Sequence, residues 1–162
     1  PVEQMQELFK VLQLMGADIV IAGGWVCING EHANKSVAGL KTSVYPGFPT
    51  DLQSAFMAAF AIAEGCTIIE ENIFENRFKI VSELSKMGAD IHISGNRAMI
   101  CGVDSLKGCT VEAMELRGGA ALVLAGLAAS GTTLVENKHF IDRGYEDIGR
   151  DLRALGANIR YV

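Results

Sequence analysis

One short pattern occurs three times along the 162-residue chain and divides it into similar units. The copies are Leu-Met-Gly-Ala-Asp-Ile at 14–19, Lys-Met-Gly-Ala-Asp-Ile at 86–91 and Ala-Leu-Gly-Ala-Asn-Ile at 154–159. An interval of about 70 residues accommodates several helices and strands, and repeated units bury their apolar faces against one another. The repeat therefore predicts about three similar α/β units that share one core.

Each copy follows a stretch with helical periodicity. Apolar residues three or four apart mark these stretches: Met5, Leu8, Phe9, Leu12 and Met15; Phe78, Val81, Leu84 and Met87; Tyr145, Ile148, Leu152 and Leu155. This spacing predicts three amphipathic helices, and Gly16, Gly88 and Gly156 suit the left-handed conformation just past a helix end. In the first two units, the two-residue turns Gly23-Gly24 and Gly95-Asn96 between extended segments predict β-hairpins.

A second repeated segment separates these copies, because residues 51–65 match residues 117–131. The helix predicted in each is apolar nearly all round, which requires burial on every side. Small residues in the second helix would let the two helices approach closely: Gly118, Gly119, Ala121, Ala125, Gly126 and Ala129. Strands are predicted after the helices, at 67–70 and 133–136.

These patterns together predict an inverted α/β arrangement, with central apolar helices and mixed sheets outside them. We expect residues 1–162 to form a single domain whose first unit is incomplete. The chain opens within a unit and stops where a third hairpin would turn. We therefore also expect the chain to be part of a longer polypeptide.

Charge and hydropathy exclude two classes of partner. The net charge of −5 has the wrong sign for a nucleic-acid-binding protein, which needs clustered Lys and Arg to displace counterions from phosphates. No apolar run approaches the roughly 20 residues that a membrane-spanning helix needs. We expect a cytoplasmic protein that binds neither nucleic acid nor membrane.

The cysteines predict no metal site. Cys27, Cys66, Cys101 and Cys109 lie far apart, without a Cys-x-x-Cys pair or a histidine at ligand spacing. Each lies in an apolar or β-like stretch. We expect four small buried hydrophobic side chains in a reducing cytosol.

Four ionisable residues occupy two equivalent positions of the repeat. A shift of 66 residues superposes Asp51 on Arg117 and Arg77 on Arg143, each at a predicted helix start. Arginines there oppose the helix dipole, which favours an anion between them and the helix ends. A carboxylate among them could accept a proton from a substrate hydroxyl.

A purely structural explanation of these residues stays open. The arginines have acidic neighbours with which they could form local ion pairs: Glu75, Glu115, Asp142 and Glu146. Thr50-Asp51-Leu52-Gln53 also fits a capping box, with Thr50 as the cap and Gln53 reaching back to it. Spacing alone does not decide between ligand binding and these local roles.

Several motifs in one order carry a family resemblance over nearly the whole chain. They are Tyr-Pro-Gly-Phe-Pro-Thr-Asp-Leu-Gln at 45–53, Phe-Glu-Asn-Arg-Phe at 74–78, Leu-Arg-Gly-Gly-Ala-Ala-Leu-Val at 116–123, Ile-Asp-Arg-Gly-Tyr-Glu at 141–146 and Leu-Arg-Ala-Leu-Gly-Ala-Asn-Ile at 152–159. With these motifs the chain resembles the enolpyruvyl transferases of peptidoglycan synthesis. That family has an inside-out α/β barrel fold in two domains of three similar units each.

The resemblance implies an activity and a set of site residues. The family transfers the enolpyruvyl group of phosphoenolpyruvate to the 3′ hydroxyl of UDP-N-acetylglucosamine, with release of phosphate and without a metal or organic cofactor. It implies that Asp51 contacts the sugar hydroxyl as the general base, and that Ile73 offers its backbone to the nucleotide sugar. Arg143 would close onto the phosphoenolpyruvate side, with Arg77 and Arg117 lining the same cleft.

The resemblance also implies that part of the site is missing. The family's reactive loop cysteine or aspartate, its Lys-Asn pair and its other phosphate-binding arginine belong to the opposite, amino-terminal domain and have no counterpart here. We therefore expect this chain, as the carboxy-terminal half, to be inactive alone. Glu115 also stands where many relatives have Asp. Two alternatives are the sister transferase acting on shikimate 3-phosphate and a non-catalytic ligand-binding module.

Overall fold

The computed structural model describes residues 2–162, and its helices follow the predicted periodicity. The α-helices are α1 (Gln6–Met15), α2 (Gln53–Phe60), α3 (Val81–Lys86), α4 (Leu116–Ala128) and α5 (Ile148–Ala154). The amphipathic helices α1, α3 and α5 end near Gly16, Gly88 and Gly156, whose φ angles are 109°, 92° and 93°. These positive angles confirm the predicted left-handed positions, which glycine adopts without steric cost.

Eight strands form three separate sheets within the described part of the chain. The strands are β1 (Asp18–Ala22), β2 (Trp25–Asn29), β3 (Gly39–Lys41), β4 (Cys66–Glu70), β5 (Asp90–Ser94), β6 (Arg97–Cys101), β7 (Thr110–Glu112) and β8 (Leu134–Glu136). β1 pairs with β2, the central sheet has the order β3-β4-β6-β5, and β7 pairs with β8. The central sheet is mixed, because β3 and β4 are parallel and its other pairs are antiparallel.

Both predicted hairpins are present, as β1–β2 and β5–β6. The short strands β3 and β7 were not predicted, because they lie outside the repeated segments and three residues are too few to show an alternating pattern. Each pairs in parallel with the strand that follows a central helix, β4 or β8. The third copy of the repeat forms no strand within residues 157–162.

The two apolar helices pack against each other in the core, as predicted. Phe56, Met57 and Phe60 of α2 are buried, as are Ala121 and Leu122 of α4. Burial on every side is wrong for the second half of α4, which exposes the residues Leu124 and Leu127 at 41% and 40%. That half of α4 extends beyond the end of α2, because α4 has 13 residues and α2 has 8.

The glycines of α4 do not serve the predicted helix contact. A Cβ added at Gly119 would lie 2.7 Å from the Ile141 side chain, and one at Gly126 would lie 3.0 Å from Thr133. These neighbours belong to the segments that follow α4. Gly119 and Gly126 therefore make room for the segments that follow α4, and a Cβ added at Gly118 would meet Glu115 at 2.7 Å. The alanines Ala121 and Ala125 share the core with α2.

The prediction of four buried, unpaired cysteines is wrong. Cys66 of β4 and Cys101 of β6 form a disulfide, because the antiparallel register sets them opposite each other. Cys27 is exposed on the two-stranded sheet β1–β2, and Cys109 is partly exposed. The register between distant strands decided the pairing, and residue spacing does not reveal that register.

No helix in residues 2–162 combines the length and apolar character that a bilayer crossing requires. The same residues contain no group of three or more His, Cys, Asp or Glu side chains arranged to hold a metal ion.

Candidate active site

The starts of the two central helices bring Asp51 and Arg117 together. Asp51 lies in a single 3-10 turn, Thr50–Leu52, that leads into α2, and Arg117 lies in the first turn of α4. The Nε of Arg117 donates to Oδ1 of Asp51. Asp51 and Arg117, which hold equivalent positions in the repeat, are thus also in direct contact, because α2 and α4 pack alongside each other.

Arg77 completes this cluster from a third segment. Its Nη2 lies 3.5 Å from the same Oδ1 of Asp51, and its Nη1 lies 3.9 Å from Oε2 of Glu115. The guanidinium also stacks over the Phe74 ring, at 4.9 Å from the ring centroid, and its Nε donates to Thr50 Oγ1 at 3.4 Å. Only 14% of the Arg77 side chain is exposed. Contacts on several sides therefore restrain the Arg77 guanidinium, which favours its use as a positioned anion-binding group.

The carboxylate remains open to solvent although it is paired. The Asp51 side chain is 61% exposed and that of Arg117 is 36% exposed. Exposed ion pairs contribute little stability, because water competes with them. A ligand could therefore displace the Asp51–Arg117 contact at small cost. The two guanidiniums face two carboxylates, Asp51 and Glu115, so displacement of Asp51 would free positive charge for an anion.

Glu115 has a structural role at this site. Its carboxylate accepts hydrogen bonds from the backbone N–H groups of Arg117, at 3.0 Å, and of Gly118. These bonds cap the amino terminus of α4. Arg77 also pairs with Glu115, at 3.9 Å between their closest atoms, but this pair joins different segments and is not one of the local pairs that the sequence offered.

The predicted capping box at Thr50 is wrong. The 3-10 turn has no side-chain cap, and the Thr50 hydroxyl donates to Oε2 of Glu71 at 2.9 Å. Gln53 is fully buried, and its amide nitrogen donates to the sulfur of Met57 at 3.3 Å. The Thr50 hydroxyl therefore binds a carboxylate 21 residues away, and Gln53 bonds within α2, so neither side chain takes the capping role that the sequence suggested.

Ile73 lies in a turn that lines a groove of about 800 Å³. The groove is bordered by residues 71–79 and by Ile93, Gly95 and Asn96 at the end of the β5–β6 hairpin. The Ile73 N–H donates to Oε1 of Glu71 at 2.8 Å. The Ile73 carbonyl is therefore the backbone group that remains able to face a ligand.

Arg143 lies apart from the direct contacts of this cluster. Within residues 2–162, the ion pairs of the cluster involve Arg77 and Arg117 but not Arg143, which is exposed. Its turn packs on the start of α4, since a Cβ added at Gly144 would lie 2.7 Å from Leu116. Only Arg117 takes the predicted position in the first turn of a helix, because turns separate Arg77 and Arg143 from α3 and α5.

Glu71 is the residue of this site that the sequence did not single out. It lies between the motifs at 45–53 and 74–78, yet its carboxylate contacts both. The only sequence signal for Glu71 was its position directly after an apolar strand. That signal is weak, because carboxylates in this position are usually exposed and have no special role.

Comparison with known proteins identifies the family. The family model for EPSP synthase (3-phosphoshikimate 1-carboxyvinyltransferase) matches residues 2–152. A UDP-N-acetylglucosamine 1-carboxyvinyltransferase of Desulfosudis oleivorans is 51% identical over 96% of this chain, and one of Caldanaerobacter subterraneus is 45% identical over 97%. The crystal structure of the enolpyruvyl transferase NikO from Streptomyces tendae superposes with a TM-score of 0.82 at 30% identity, over 96% of this chain and 36% of that one.

The chain spans 37% and 38% of the length of these two curated relatives. It shares the fold of the enolpyruvyl transferases and their mixed α/β content. The chain therefore belongs to the EPSP synthase (3-phosphoshikimate 1-carboxyvinyltransferase) family.

Proposed function

We propose that the protein containing this chain transfers the enolpyruvyl group of phosphoenolpyruvate to the 3′ hydroxyl of UDP-N-acetylglucosamine, with release of phosphate. The observation that supports this most is the Asp51 carboxylate between Arg77 and Arg117, at the adjoining ends of two central helices. The relatives that carry this activity in their names are 45% and 51% identical over nearly the whole chain. The reaction would serve peptidoglycan synthesis in the cytoplasm.

Residues 1–162 would form a single domain, the carboxy-terminal half of a two-domain enzyme. The relatives are more than twice as long as the chain, so a second domain would supply the rest of the site. We propose that the two central helices and outer mixed sheets belong to an inside-out α/β barrel. Because this chain would carry only some of the catalytic groups, it would not convert the substrates without the second domain.

Asp51 would act as the base on the acceptor hydroxyl. Both guanidinium contacts fall on its Oδ1, which leaves Oδ2 able to accept the 3′ hydroxyl proton. The sugar oxygen then bonds to C2 of phosphoenolpyruvate as the C2–C3 double bond becomes single and its electrons take a proton at C3 from an acid that the second domain would supply. In the second step C3 loses a proton, the C2–O bond to phosphate breaks, and phosphate departs as the vinyl ether forms.

The arginines would stabilise the anionic donor. Phosphoenolpyruvate carries a phosphate and a carboxylate, and the planar guanidiniums of Arg77 and Arg117 match such oxygens. Arg143, on its exposed turn, would close onto the same substrate. The Ile73 carbonyl would accept a hydrogen bond from the nucleotide sugar, because its N–H is already bound to Glu71.

A second candidate acceptor is shikimate 3-phosphate, since the matching family model carries the name of that transferase. An acceptor assay separates the two. The chain would replace the corresponding segment of the Desulfosudis oleivorans relative, and phosphate release would be measured with each acceptor and phosphoenolpyruvate. We expect release with UDP-N-acetylglucosamine only. Release with shikimate 3-phosphate alone would establish the second candidate, and a folded chimera without release would favour a binding module.

A further inference from the structure

Glu71 is a buried carboxylate directly after β4, with 3% of its surface exposed. Burial of an ionised carboxylate costs free energy unless hydrogen bonds compensate for the lost water. Glu71 accepts three: from Thr50 Oγ1 at 2.9 Å, from the Ile73 N–H at 2.8 Å and from the Phe74 N–H at 3.1 Å. All three donors are uncharged, so hydrogen bonds to neutral groups, and not an ion pair with a cation, offset the cost of burying this carboxylate.

The two oxygens of Glu71 bind two different segments. Oε1 accepts both N–H groups of the turn that carries Ile73, Phe74 and Arg77. Oε2 accepts the Thr50 hydroxyl, one residue before Asp51. One side chain therefore joins the turn that lines the groove to the 3-10 turn that carries the proposed base.

The backbone of Glu71 is fixed as well. Its N–H donates to the Asn96 carbonyl at 2.9 Å, and its carbonyl accepts from the Asn96 amide at 3.1 Å. Asn96 lies in the tight turn between β5 and β6. The carboxylate thus projects from a rigid anchor, and neither segment that it holds can shift without breaking a charge-assisted hydrogen bond.

We propose that Glu71 is a positioning residue for the acceptor side of the active site. It acts through Thr50, Ile73 and Phe74 and does not touch the substrate. The Thr50 hydroxyl, held by Glu71, also accepts from Arg77 Nε, so one network sets Asp51 and Arg77 relative to the Ile73 carbonyl. This inference rests on the proposed function, because it assigns those groups to the nucleotide sugar and its hydroxyl.

The test uses steady-state kinetics of the full-length enzyme that carries this chain, with Glu71→Leu, Glu71→Gln and Thr50→Val. Glu71→Leu removes both links, so we expect KM for the nucleotide sugar to rise by about tenfold or more and kcat to fall by a similar factor. KM for phosphoenolpyruvate should change less than threefold. Thr50→Val removes the link toward Asp51 and the bond from Arg77 Nε but leaves both N–H bonds of the turn at Ile73, so kcat should fall while KM for the nucleotide sugar stays within threefold.

Glu71→Gln is the conservative variant. Its amide oxygen still accepts from both N–H groups and its amide nitrogen can donate to the Thr50 oxygen, so both KM values should return to within threefold of wild type. Glu70→Ala is the control at the preceding residue, the last of β4, because it removes ion pairs with the exposed side chains of Lys41 and Arg97 and should leave kinetics unchanged.

A merely structural role predicts a different result. Glu71→Leu would then lower the melting temperature and the active fraction but leave both KM values at wild type, and that outcome would overturn the proposal. If Glu71→Leu does not fold, Thr50→Val decides, and an unchanged kcat in that variant would refute the link. Wild-type turnover is measured first: its absence with UDP-N-acetylglucosamine would count against the proposed function, whereas the variants are compared only on an active enzyme.

Discussion

At the scale of single residues, the site depends on the carboxylate of Asp51, which has guanidinium partners but is not enclosed by them. Oδ1 of Asp51 faces two guanidiniums, while 61% of the side chain stays exposed. Local acidic neighbours of the arginines are largely engaged elsewhere, as Glu115 is by the amino terminus of α4. The arrangement leaves Asp51 oriented but accessible, which is what a base that meets a substrate hydroxyl requires.

Replacement of this carboxylate tests its role. Asp51→Asn keeps the shape and a hydrogen-bonding oxygen but removes the ability to accept a proton. We expect kcat of the full-length enzyme to fall by about 10²- to 10⁴-fold, the range of general acid–base effects. Phosphate release measures this fall. Asp104→Asn, at an exposed position, serves as the control, and turnover within threefold of wild type in Asp51→Asn would show that another group is the base.

At the scale of elements, the site exists because two helices of equivalent position pack against each other. Asp51 and Arg117 are 66 residues apart, yet the side-by-side packing of α2 and α4 makes their side chains direct partners. The segment after α2 is joined by hydrogen bonds to the segment after β6. Val103 N–H donates to the Ala61 carbonyl, and Gly102 N–H donates to the Gly65 carbonyl, each at 2.9 Å.

The close approach at Gly102 makes a sharp prediction about stability. A Cβ at this position would lie 1.7 Å from the Ala63 carbonyl oxygen, which is backbone and cannot rotate away. We expect Gly102→Ala to lower the free energy of unfolding by about 3 kcal/mol or more, at the upper end of overpacking effects. Urea unfolding followed by circular dichroism measures this change.

Gly30→Ala provides the comparison for that measurement. Its added Cβ would meet only the Ala33 side chain, at 4.0 Å, so its urea midpoint should remain near wild type. Equal midpoints for the two variants would mean that the chain after β6 does not approach Ala63 as described.

At the scale of the whole molecule, paired carboxylates on different elements couple stability to pH. For Glu83, burial raises the pKa, but hydrogen bonds from Lys86 and from the Glu112 N–H outweigh it and hold the pKa below the ordinary value of 4.5. Hydrogen bonds from Lys41 and Arg97 lower the pKa of Glu70, and one from Tyr161 lowers the pKa of Asp147. All three groups bind protons more weakly in the folded chain than in the unfolded one.

The sign of these shifts gives a pH prediction. Groups with a lowered folded-state pKa stabilise the fold above their unfolded pKa, and that stabilisation is lost as the pH falls through the folded value. We expect the urea midpoint to be flat from about pH 7 to pH 5 and to fall below about pH 4.5. Glu83→Gln should be less stable at neutral pH and show a shallower acid decline, and a decline as steep as that of wild type would contradict the role of Glu83.

Local chemistry was sufficient to predict much of the architecture. Helical spacing predicted α1, α3 and α5, and the permissive turns predicted both hairpins, because these elements depend on residues close in sequence. The family motifs led to Asp51, Arg77 and Arg117, which the structure brings together. The sequence could not predict that the Thr50 hydroxyl would bind Glu71 instead of capping the helix, because this bond depends on a partner 21 residues away.

The amino-acid sequence by itself determined the repeated units, the buried character of α2 and the left-handed glycines, because periodicity and backbone sterics act within a few residues. The tertiary structure alone decided the Cys66–Cys101 pairing, the exposed end of α4, the neighbours of the α4 glycines and the Glu71 network. Each of these depends on the register and distance between segments far apart in the chain. Such contacts form only when the apolar helices pack, and no local pattern encodes their geometry.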